Sequence, residues 1–434
     1  MCGGSGGDRR RSLRRLDSAR LLTPTQALST ILDRLVPAAA AEVVRLDKAR
    51  GRVLASDVVS DLDLPPFEKS AMDGYAVRSG DFPYGPRSLR VVGESKAGMP
   101  YPGAVGPGEC VAIYTGAEVP ADCDAVVMVE KSRRPAPADG ESADGDAVEV
   151  VQLDDKPRPW QHVCRVGEDL KKGETTLVAG KRLTAIDLSV LAAVGCEYVP
   201  VRPRPRVALL TTGDELVPVS SIPRNGQIRE GNTYYLAARL EECGAQVENL
   251  GIVPDDESQL ERVVRAVLSR CDVLITTGGV SMGKYDIVGG VLEKVGFEPV
   301  FHKVSIKPGK PLWFGMCGPT PVFALPGNPV SCLIGFEVFV RPALAKLEAE
   351  GVDAWEDARL TGRWRGGPTK PNDRQQNLPV RVVRAADGAD ELVPLAWTSS
   401  ADIVELSRAQ GLAIVEPGRV VSEGEVLEWR PLPS

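Results

Sequence analysis

The chain has few of the residue types that usually build metal centres and covalent catalytic sites. Only two of its 434 residues are histidine, so a zinc or iron centre is not expected, and any metal chemistry would rest on carboxylates, which suit Mg²⁺. Neither histidine stands in a nucleophile context, which argues against a Ser-His-Asp or Cys-His arrangement. Nine cysteines occur without a Cys-x-x-Cys pair and in an odd number, which favours free thiols over a disulfide framework.

Long apolar runs and a basic charge balance are also missing. The formal net charge of −7 gives no reason to expect binding to nucleic acid or to an anionic membrane. No apolar run approaches the roughly 18 residues that cross a bilayer, and Met1 to Arg20 lacks the apolar core of a secretory signal. We therefore expect a cytoplasmic protein that binds neither nucleic acid nor membrane, with residues 1–20 as a disordered basic tail.

The order of apolar patterns predicts several domains. Between Arg206 and Leu347, apolar strands alternate with helical patterns, which predicts a doubly wound α/β domain. Short β patterns before it predict a small, mostly β domain, and those after Gly351 predict a β barrel or sandwich. The predicted strands of the α/β domain are 207–211, 247–252, 273–277, 298–302, 312–315 and 321–325, and its helices are 232–243, 256–269, 285–296 and 330–348. Outside it we predict helices at 25–35, 185–194 and 401–409, strand, turn and strand at 41–53, short strands at 89–92, 109–113 and 125–129, and a flexible hairpin loop at 133–146.

Three glycine-containing turns follow predicted strands of the α/β domain. They are Thr211–Glu215, the segment from Thr276 into Gly278 and Gly279, and Leu325–Pro329. The carboxyl ends of parallel strands meet at one edge of a sheet, where α/β folds bind ligands. A strand, a glycine turn and a helix together present backbone N–H groups and a positive helix end to an anion. None of the turns is a Walker loop or a dinucleotide fingerprint.

Charged residues follow the same strands. Lys307 and Lys310 stand on a proline-stiffened loop, and two like charges held close favour an oxyanion between them, although two solvated lysines are the alternative. Asp73-Gly74 on its own is best interpreted as an ordinary turn. A group of acids after the strands suggests Mg²⁺ bridging a phosphorylated ligand, although Asp255 or Asp256 is expected to cap a helix. These acids are Asp214, Glu215, Asp255, Asp256 and Asp286.

Seven motifs occur in the order found in molybdopterin molybdenumtransferases, the MoeA and gephyrin E-domain family, which the chain resembles from about Leu21 to its C-terminus. The motifs are Ser70-Ala71-Met72-Asp73-Gly74-Tyr75-Ala76, Thr115-Gly116-Ala117 followed by Asp124-Ala125-Val126-Val127, Gly167-Glu168-Asp169, Thr212-Gly213-Asp214-Glu215-Leu216, Gly278-Gly279-Val280-Ser281-Met282-Gly283, Lys307-Pro308-Gly309-Lys310-Pro311 and Leu325-Pro326-Gly327-Asn328-Pro329-Val330-Ser331.

The resemblance implies a multidomain α/β and β fold and an elongated homodimer. Its parts are a segmented elongated α+β dimerisation domain (21–56 and 161–202), an inserted mostly β domain (57–160), a doubly wound, MogA-like α/β molybdopterin-binding domain (203–348) and a C-terminal β barrel (349–434). In such a dimer the inserted domain of one subunit reaches the α/β cleft of the other, which would bring Asp73, Thr115 and Asp169 to a shared site.

The resemblance also implies a reaction: insertion of molybdate into adenylylated molybdopterin, with Mg²⁺ required and AMP released. A MogA-type adenylyltransferase and molybdoenzyme apoproteins would be its partners. The implied catalytic residues are Asp73, Asp169, Glu215, Asp255 and Asp286; the implied Mg²⁺ ligands are Asp214, Glu215 and Asp286. The implied substrate-binding residues are Thr115, Thr212, Gly213, Gly278, Gly279, Ser281, Gly283, Pro326, Gly327, Asn328 and Pro329, and those for molybdate are Lys307, Lys310, Ser331, Arg381 and Ser400.

The chain departs from the family pattern at a few positions. Glu68-Lys69 replaces the more usual Asp-Asn, Gly231 replaces a Ser, and Lys284 stands where an acid is frequent. Arg381 and Ser400 are matched only approximately to the family's barrel arginine and serine. A tungstate-specific paralogue is one alternative, because molybdate and tungstate share their charge and nearly their size. A non-catalytic, molybdopterin-binding scaffold is another, because the resemblance includes relatives that cluster other proteins.

Overall fold

The computed structural model describes residues 21–133, 149–154, 156–279, 287–355 and 359–432. They form two compact units, one of residues 21–56, 179–185 and 198–432, and one of residues 57–178 and 186–197. The basic tail at 1–20 and residues 134–146 of the predicted hairpin loop lie outside the described ranges. Within those ranges, no helix has the length and apolar character needed to span a membrane.

The regular elements are numbered in chain order. The helices are α1 (Pro24–Arg34), α2 (Ala185–Ala193), α3 (Asn232–Glu242), α4 (Glu257–Leu268), α5 (Ile287–Lys294), α6 (Pro329–Gly335), a π-helical turn (Phe336–Val340), α7 (Arg341–Leu347), α8 (Val352–Trp355) and α9 (Ile403–Leu406). The strands are β1 (Glu42–Arg45), β2 (Val58–Val59), β3 (Lys69–Ser70), β4 (Gly74–Val77), β5 (Arg87–Ser95), β6 (Glu109–Ile113), β7 (Ala125–Met128), β8 (Ser132–Arg133), β9 (Val150–Leu153), β10 (Val163–Cys164), β11 (Thr175–Leu177), β12 (Tyr198–Val201), β13 (Arg206–Thr212), β14 (Leu216–Val217), β15 (Ile228–Arg229), β16 (Gln246–Val253), β17 (Val273–Thr277), β18 (Phe297–Lys303), β19 (Ile306–Lys307), β20 (Pro311–Cys317), β21 (Thr320–Leu325), β22 (Leu360–Trp364), β23 (Gln375–Arg384), β24 (Asp390–Pro394), β25 (Gly411–Val415) and β26 (Val426–Pro431).

The larger unit contains the predicted doubly wound α/β domain. Its six-stranded sheet has the order β16-β13-β17-β21-β20-β18; the first four strands are parallel, and β20 runs antiparallel to both of its neighbours, β21 and β18. Along β13, Val207 and Leu209 belong to one apolar core and Ala208 and Leu210 to another, because successive side chains leave a strand on opposite faces. Both faces of β13 are therefore buried.

The strand order reverses between β13 and β17. From β13 the chain continues to β16 on one side, whereas from β17 it continues to the strands on the other side. In open α/β sheets the crevice for a ligand lies at this switch point, beyond the carboxyl ends of the two strands. The strand order therefore marks the edge next to Thr212 and Thr277 as the expected place for a ligand.

Local sequence explains where several helices begin. Thr23 and Gln26 form a capping box at the start of α1, where Pro24 takes the first position. Asp256 caps α4 by accepting a hydrogen bond from the backbone N–H of Gln259 at 2.7 Å. The sequence predicts that Asp255 or Asp256 caps this helix, and the cap is Asp256. Asp255 is therefore available for other contacts.

Three elements differ from the sequence prediction. The helix predicted at 330–348 is interrupted by the π-helical turn before Pro342, whose ring lacks an N–H and clashes with the carbonyl four residues earlier. The second strand predicted near Val53 is replaced by isolated bridges of Val53 with Arg182 and Leu54 with Val201. The C-terminal helix predicted at 401–409 is only Ile403–Leu406.

The C-terminal residues form a closed barrel, which decides between the predicted barrel and sandwich. Strands β23, β24, β22, β26 and β25 pair in that order, and β25 pairs back with β23. The short strand β19 adds to β23, with Lys307 opposite Gln376. The barrel sheet is thus hydrogen-bonded to the segment that carries the predicted lysine loop.

The smaller unit contains the predicted mostly β domain. Its six-stranded sheet has the order β7-β4-β6-β5-β9-β8. Gly74 opens β4 so close to β7 that a Cβ at this position would lie 2.0 Å from the Val127 carbonyl oxygen. Only glycine fits there, so Asp73-Gly74 is more constrained than an ordinary surface turn. The domain boundaries derived from the sequence stay predictions.

Candidate functional site

The three glycine turns of the larger unit lie side by side at the carboxyl edge of the sheet. Thr211 pairs with Thr277 between β13 and β17, and Thr277 pairs with Leu325 between β17 and β21. The backbone N–H of Gly278 donates to the Leu325 carbonyl oxygen at 3.2 Å, which joins two of the turns directly. The edge predicted from the order of strands and turns is therefore a continuous surface.

Close backbone approach fixes the central turn. Gly278 has a φ of +80°, and a Cβ there would lie 2.2 Å from the Thr212 carbonyl oxygen. Gly279 has a φ of +61°, and its Cβ would lie 2.5 Å from a methyl carbon of Val288. Both positions favour glycine, because other residues rarely adopt this left-handed conformation and any side chain would collide.

Three buried threonine hydroxyls lie near the ends of β13 and β17. The Thr211 and Thr277 hydroxyls lie 2.9 Å apart, and that of Thr211 also donates to the Thr277 carbonyl oxygen. The Thr276 hydroxyl is buried and has no hydrogen-bond partner in the described part of the chain. The contacts between Thr211 and Thr277 therefore tie the ends of β13 and β17 together.

The predicted acids form part of this edge. The Thr212 hydroxyl donates to Asp255 Oδ1, and the Asp255 backbone N–H approaches Asp214 Oδ1 at 3.4 Å. Glu215 folds back over its own turn, because a Cβ on Gly213 would lie 2.8 Å from both Glu215 carboxylate oxygens. Three of the predicted acids are therefore together beside Thr212.

The lysine loop and the helix that begins at Pro329 form a second part of the edge. Lys307 and Lys310 are exposed, and a Cβ on Gly309 would lie 3.6 Å from the Ser331 carbonyl oxygen. The Ser331 side chain is largely buried, with 5% relative exposure for the residue. The loop that carries both ammonium groups therefore packs against the backbone of Ser331.

Ser400 belongs to the same region, although it lies in the C-terminal part of the chain. Its hydroxyl accepts from Asn328 Nδ2 at 2.9 Å, and its carbonyl oxygen accepts from the Val330 backbone N–H at 3.0 Å. Asn232 Nδ2 donates to the Gly327 carbonyl oxygen at 2.7 Å and so fixes the same turn from the other side. Sequence reasoning placed Ser400 only by an approximate match.

The structure places an arginine that sequence reasoning missed, Arg374, nearer to the lysine loop than the predicted Arg381. Arg374 Nη1 donates to the Ile306 carbonyl oxygen at 3.2 Å, directly before Lys307. Arg381 is exposed on β23. It lies five residues beyond Gln376, the residue that pairs with Lys307, and five residues of a strand span roughly 17 Å. Arg374 was missed because its only signal, a Pro-Asn-Asp-Arg turn before a strand, is common.

Other predicted residues lie elsewhere. In the smaller unit the Thr115 backbone N–H and hydroxyl donate to Asp73 Oδ1 at 2.7 and 2.8 Å, and these bonds hold the pKa of Asp73 below its usual value. Asp169 is exposed in a turn of that unit, where its backbone N–H donates to Leu64. Ser281, Gly283 and Asp286 lie outside the described residues.

Three family models together match most of the chain. Residues 22–195 match the MoeA N-terminal region (domain I and II), residues 208–346 match a probable molybdopterin binding domain, and residues 361–432 match the MoeA C-terminal region (domain IV). The chain belongs to the MoeA family. The family of molybdopterin molybdenumtransferases predicted from the seven motifs is therefore confirmed, and with it membership of a group of transferases in molybdenum cofactor biosynthesis.

Individual relatives agree with this assignment. This MoeA-family chain is 39% identical over 330 residues to the molybdopterin molybdenumtransferase of Haemophilus influenzae, covering 76% of this chain and 78% of the relative. It is 34% identical over 395 residues to that of a Nostoc species, covering 88% and 87%. A crystal structure of the molybdopterin biosynthesis MoeA protein from Pyrococcus horikoshii OT3 is similar with a TM-score of 0.80 at 27% identity, over 95% of this chain and 100% of that one.

Proposed function

We propose that this chain inserts molybdate into adenylylated molybdopterin, with Mg²⁺ required and AMP released. The observation that supports this most directly is the meeting, at one sheet edge, of a glycine turn suited to phosphate, a row of acids and a loop with two lysines. A substrate that is both phosphorylated and bound to an oxyanion needs these three kinds of group together.

The glycine turns would hold the phosphate-bearing part of the substrate. Gly278 and Gly279 have no side chains, so a ligand can approach their backbone closely. The hydrogen bonds between Thr211 and Thr277 would keep the strand ends rigid beneath the bound substrate. Binding and orientation, rather than a covalent nucleophile, would supply most of the rate, which agrees with the lack of a catalytic triad.

The donor groups at the end of β13 suit the predicted Mg²⁺ site. Asp214 and Glu215 are exposed carboxylates at the end of β13, and hard oxygen donors of this kind suit Mg²⁺. Among the described residues no three His, Cys, Asp or Glu side chains converge on one point. The two carboxylates therefore fit an ion whose other ligands are waters and substrate phosphate oxygens, as is common for Mg²⁺. Asp286 is the third predicted protein ligand. The bound ion would neutralise negative charge on the diphosphate.

Cationic side chains would bind the oxyanion. Lys307 and Lys310 carry two positive charges on one short loop, and Ser331 and Ser400 offer hydroxyls nearby. Arg374 would add a guanidinium beside Lys307 and is a further candidate next to the predicted Arg381. Charge-assisted hydrogen bonds from such groups are the strongest that proteins make to oxyanions.

The test is a turnover assay with purified protein, adenylylated molybdopterin, Mg²⁺ and either molybdate or tungstate. AMP release and transfer of cofactor to a reporter apoenzyme are both followed. We expect release with molybdate, and loss of release in Asp73→Asn with the fold retained. Binding of the nucleotide without AMP release under either oxyanion would refute the transferase and favour a carrier or scaffold.

A pair of variants addresses the arginine. Arg374→Gln and Arg381→Gln remove the same charge from the same strand region, and we expect Arg374→Gln to raise the KM for molybdate about tenfold. Lys310→Gln serves as the reference for loss of a loop cation. An unchanged KM in Arg374→Gln together with a raised one in Arg381→Gln would return the role to Arg381.

A further inference from the structure

A second cavity lies at the opposite edge of the α/β sheet, where β13, β17 and β21 begin. Its volume is about 670 Å³, which lies within the range of small-molecule sites. Arg206, the first residue of β13, and Asp272, directly before β17, both line it. It shares no residue with the proposed transferase site and does not depend on that function.

The pair beneath the cavity is internally balanced. Arg206 Nη2 lies 2.8 Å from Asp272 Oδ1, and the Arg206 Nε and backbone N–H donate to Oδ2 at 3.1 and 2.8 Å. This bidentate arrangement uses both carboxylate oxygens of Asp272. Asp272 therefore neutralises Arg206, and it forms no hydrogen bond or ion pair with either of the other two arginines of the cavity in the described part of the chain.

Two more arginines line the cavity without such a partner. Arg34 ends α1, and Arg204 is half-buried between Pro203 and Pro205. Neither guanidinium has a hydrogen-bond or ion-pair partner anywhere in the part of the chain that the structure describes. Pro205 disfavours helical backbone conformations at Arg204, so the backbone that carries this side chain along the cavity is held extended.

The remaining wall is mostly apolar. Leu35, Leu268, Met316 and Leu347 contribute to it, and so does Val36, which is 82% exposed. An apolar ligand group laid on this wall would gain roughly 25 cal/mol per Å² of apolar surface removed from water. The cavity thus combines apolar surface with two uncompensated positive charges.

We propose that this cavity binds a small amphipathic anion, that is, one carboxylate or phosphate group on an apolar body. The anionic group would accept hydrogen bonds from Arg34 and Arg204, and the apolar body would cover Val36 and its neighbours. A cation would be repelled by the excess positive charge. The arginine-rich residues 1–20 of the chain itself are unsuitable for the same reason.

Calorimetric titration of the full chain with three matched ligands tests the proposal. Decanoate and monodecyl phosphate carry the two headgroups, and 1-decanol has the same apolar body without charge. We expect at least one anion to bind at least tenfold more tightly than 1-decanol, and the tighter anion identifies the headgroup.

Variants locate the binding. The double variant Arg34→Gln, Arg204→Gln should weaken binding of the anion at least tenfold, whereas Arg262→Gln, which removes an exposed charge from α4 outside the cavity, should change it less than twofold. Should the double variant fail to fold, Val36→Asp changes an exposed position and should weaken the anion similarly by placing a carboxylate beside the arginines. Three results would overturn the proposal. Neither anion binds, 1-decanol binds as tightly as both anions, or the folded variants bind the anion as tightly as the wild type does.

Discussion

Asp73 is held by one neighbouring residue. The Thr115 backbone N–H and hydroxyl both donate to Oδ1, and they stabilise the carboxylate and lower its pKa. Within the described residues Oδ2 accepts no hydrogen bond, so one carboxylate oxygen is available to a ligand. The residue pair therefore fixes the charge and the direction of Asp73 at once.

Replacing the Thr115 hydroxyl tests this. In Thr115→Val one of the two donors is lost, so the charged form of Asp73 is less stabilised and its pKa rises. We expect the acid limb of the kcat/KM profile to move to higher pH, with little change above neutral pH, where the carboxyl stays ionised. Thr115→Ser keeps the hydroxyl and should keep the profile. An identical acid limb in Val and Ser variants would contradict a role for the side-chain bond.

Gly278 offers a test of the central turn. In Gly278→Ala the new methyl group meets a carbonyl oxygen at 2.2 Å in addition to the unfavourable φ, so we expect a loss of about 3 kcal/mol or more in the free energy of unfolding. Gly296→Ala is the matched control, because its φ is +90° but nothing lies within 4 Å of the new Cβ. It should cost only about 1 to 2 kcal/mol.

Denaturant titration followed by fluorescence measures both variants. Equal losses of unfolding free energy in the two variants would show that the contact between the new methyl group and the Thr212 carbonyl oxygen relaxes at little cost. A clearly larger loss in Gly278→Ala than in Gly296→Ala, with reduced substrate binding, would agree with a turn whose backbone position matters to the proposed site.

At the scale of elements, a cluster of charges joins two segments of the larger unit. Arg182, in the segment before α2, contacts Glu348 and Glu350, which follow α7; its Nη2 lies 2.7 Å from Glu350 Oε2. Glu348 is 1% exposed, and burial raises its pKa even though Arg182 opposes that shift. The segment at 179–185 is therefore held through a buried carboxylate.

Arg182→Met should leave Glu348 without its cation and cost about 3 kcal/mol of stability near neutral pH. A carboxyl with a raised folded pKa loses stability as the pH rises from the unfolded to the folded pKa. Because the variant raises the folded pKa further, its deficit should be larger at pH 8 than at pH 5. Urea titrations at the two pH values measure the deficit.

The double variant Arg182→Met, Glu348→Gln is the control. It removes the titrating group, so its deficit relative to the wild type should depend much less on pH than that of the single variant. The same deficit at pH 5 and pH 8 in the single variant would mean that Glu348 does not carry the charge there.

At the scale of the whole molecule, the family resemblance predicts a homodimer whose sites take residues from both chains. Asp73→Ala and Lys310→Ala change opposite sides of such a site. In a randomly mixed population half of the dimers are mixed, and each mixed dimer has one intact site, so we expect roughly a quarter of the wild-type activity.

The control mixture combines Lys310→Ala with Asp255→Ala, which both lie in the α/β part. No site in that mixture is intact, so it should stay inactive. No recovered activity in the first mixture, although size measurements show that chains exchange, would place all site residues within one chain.

The sequence by itself determined the fold class and the edge of the sheet at which the glycine turns meet. Apolar strands at 207–211, 273–277 and 321–325 ended in glycine turns, and parallel pairing then brought the turns together, because these local patterns leave few alternatives. Seven short motifs identified the family, because each is a contiguous stretch that can be recognised without the tertiary structure.

Only the tertiary structure decided which distant residues meet at this edge. Arg374 and Ser400 reach it because β23 pairs with β19 and because the segment carrying Ser400 packs on the turn before α6, and no periodic pattern records such pairings. Arg34 and Arg204 are likewise 170 positions apart in the chain and lie in different elements. Local sequence fixes the conformation of each turn, whereas long-range packing fixes which charged groups come together.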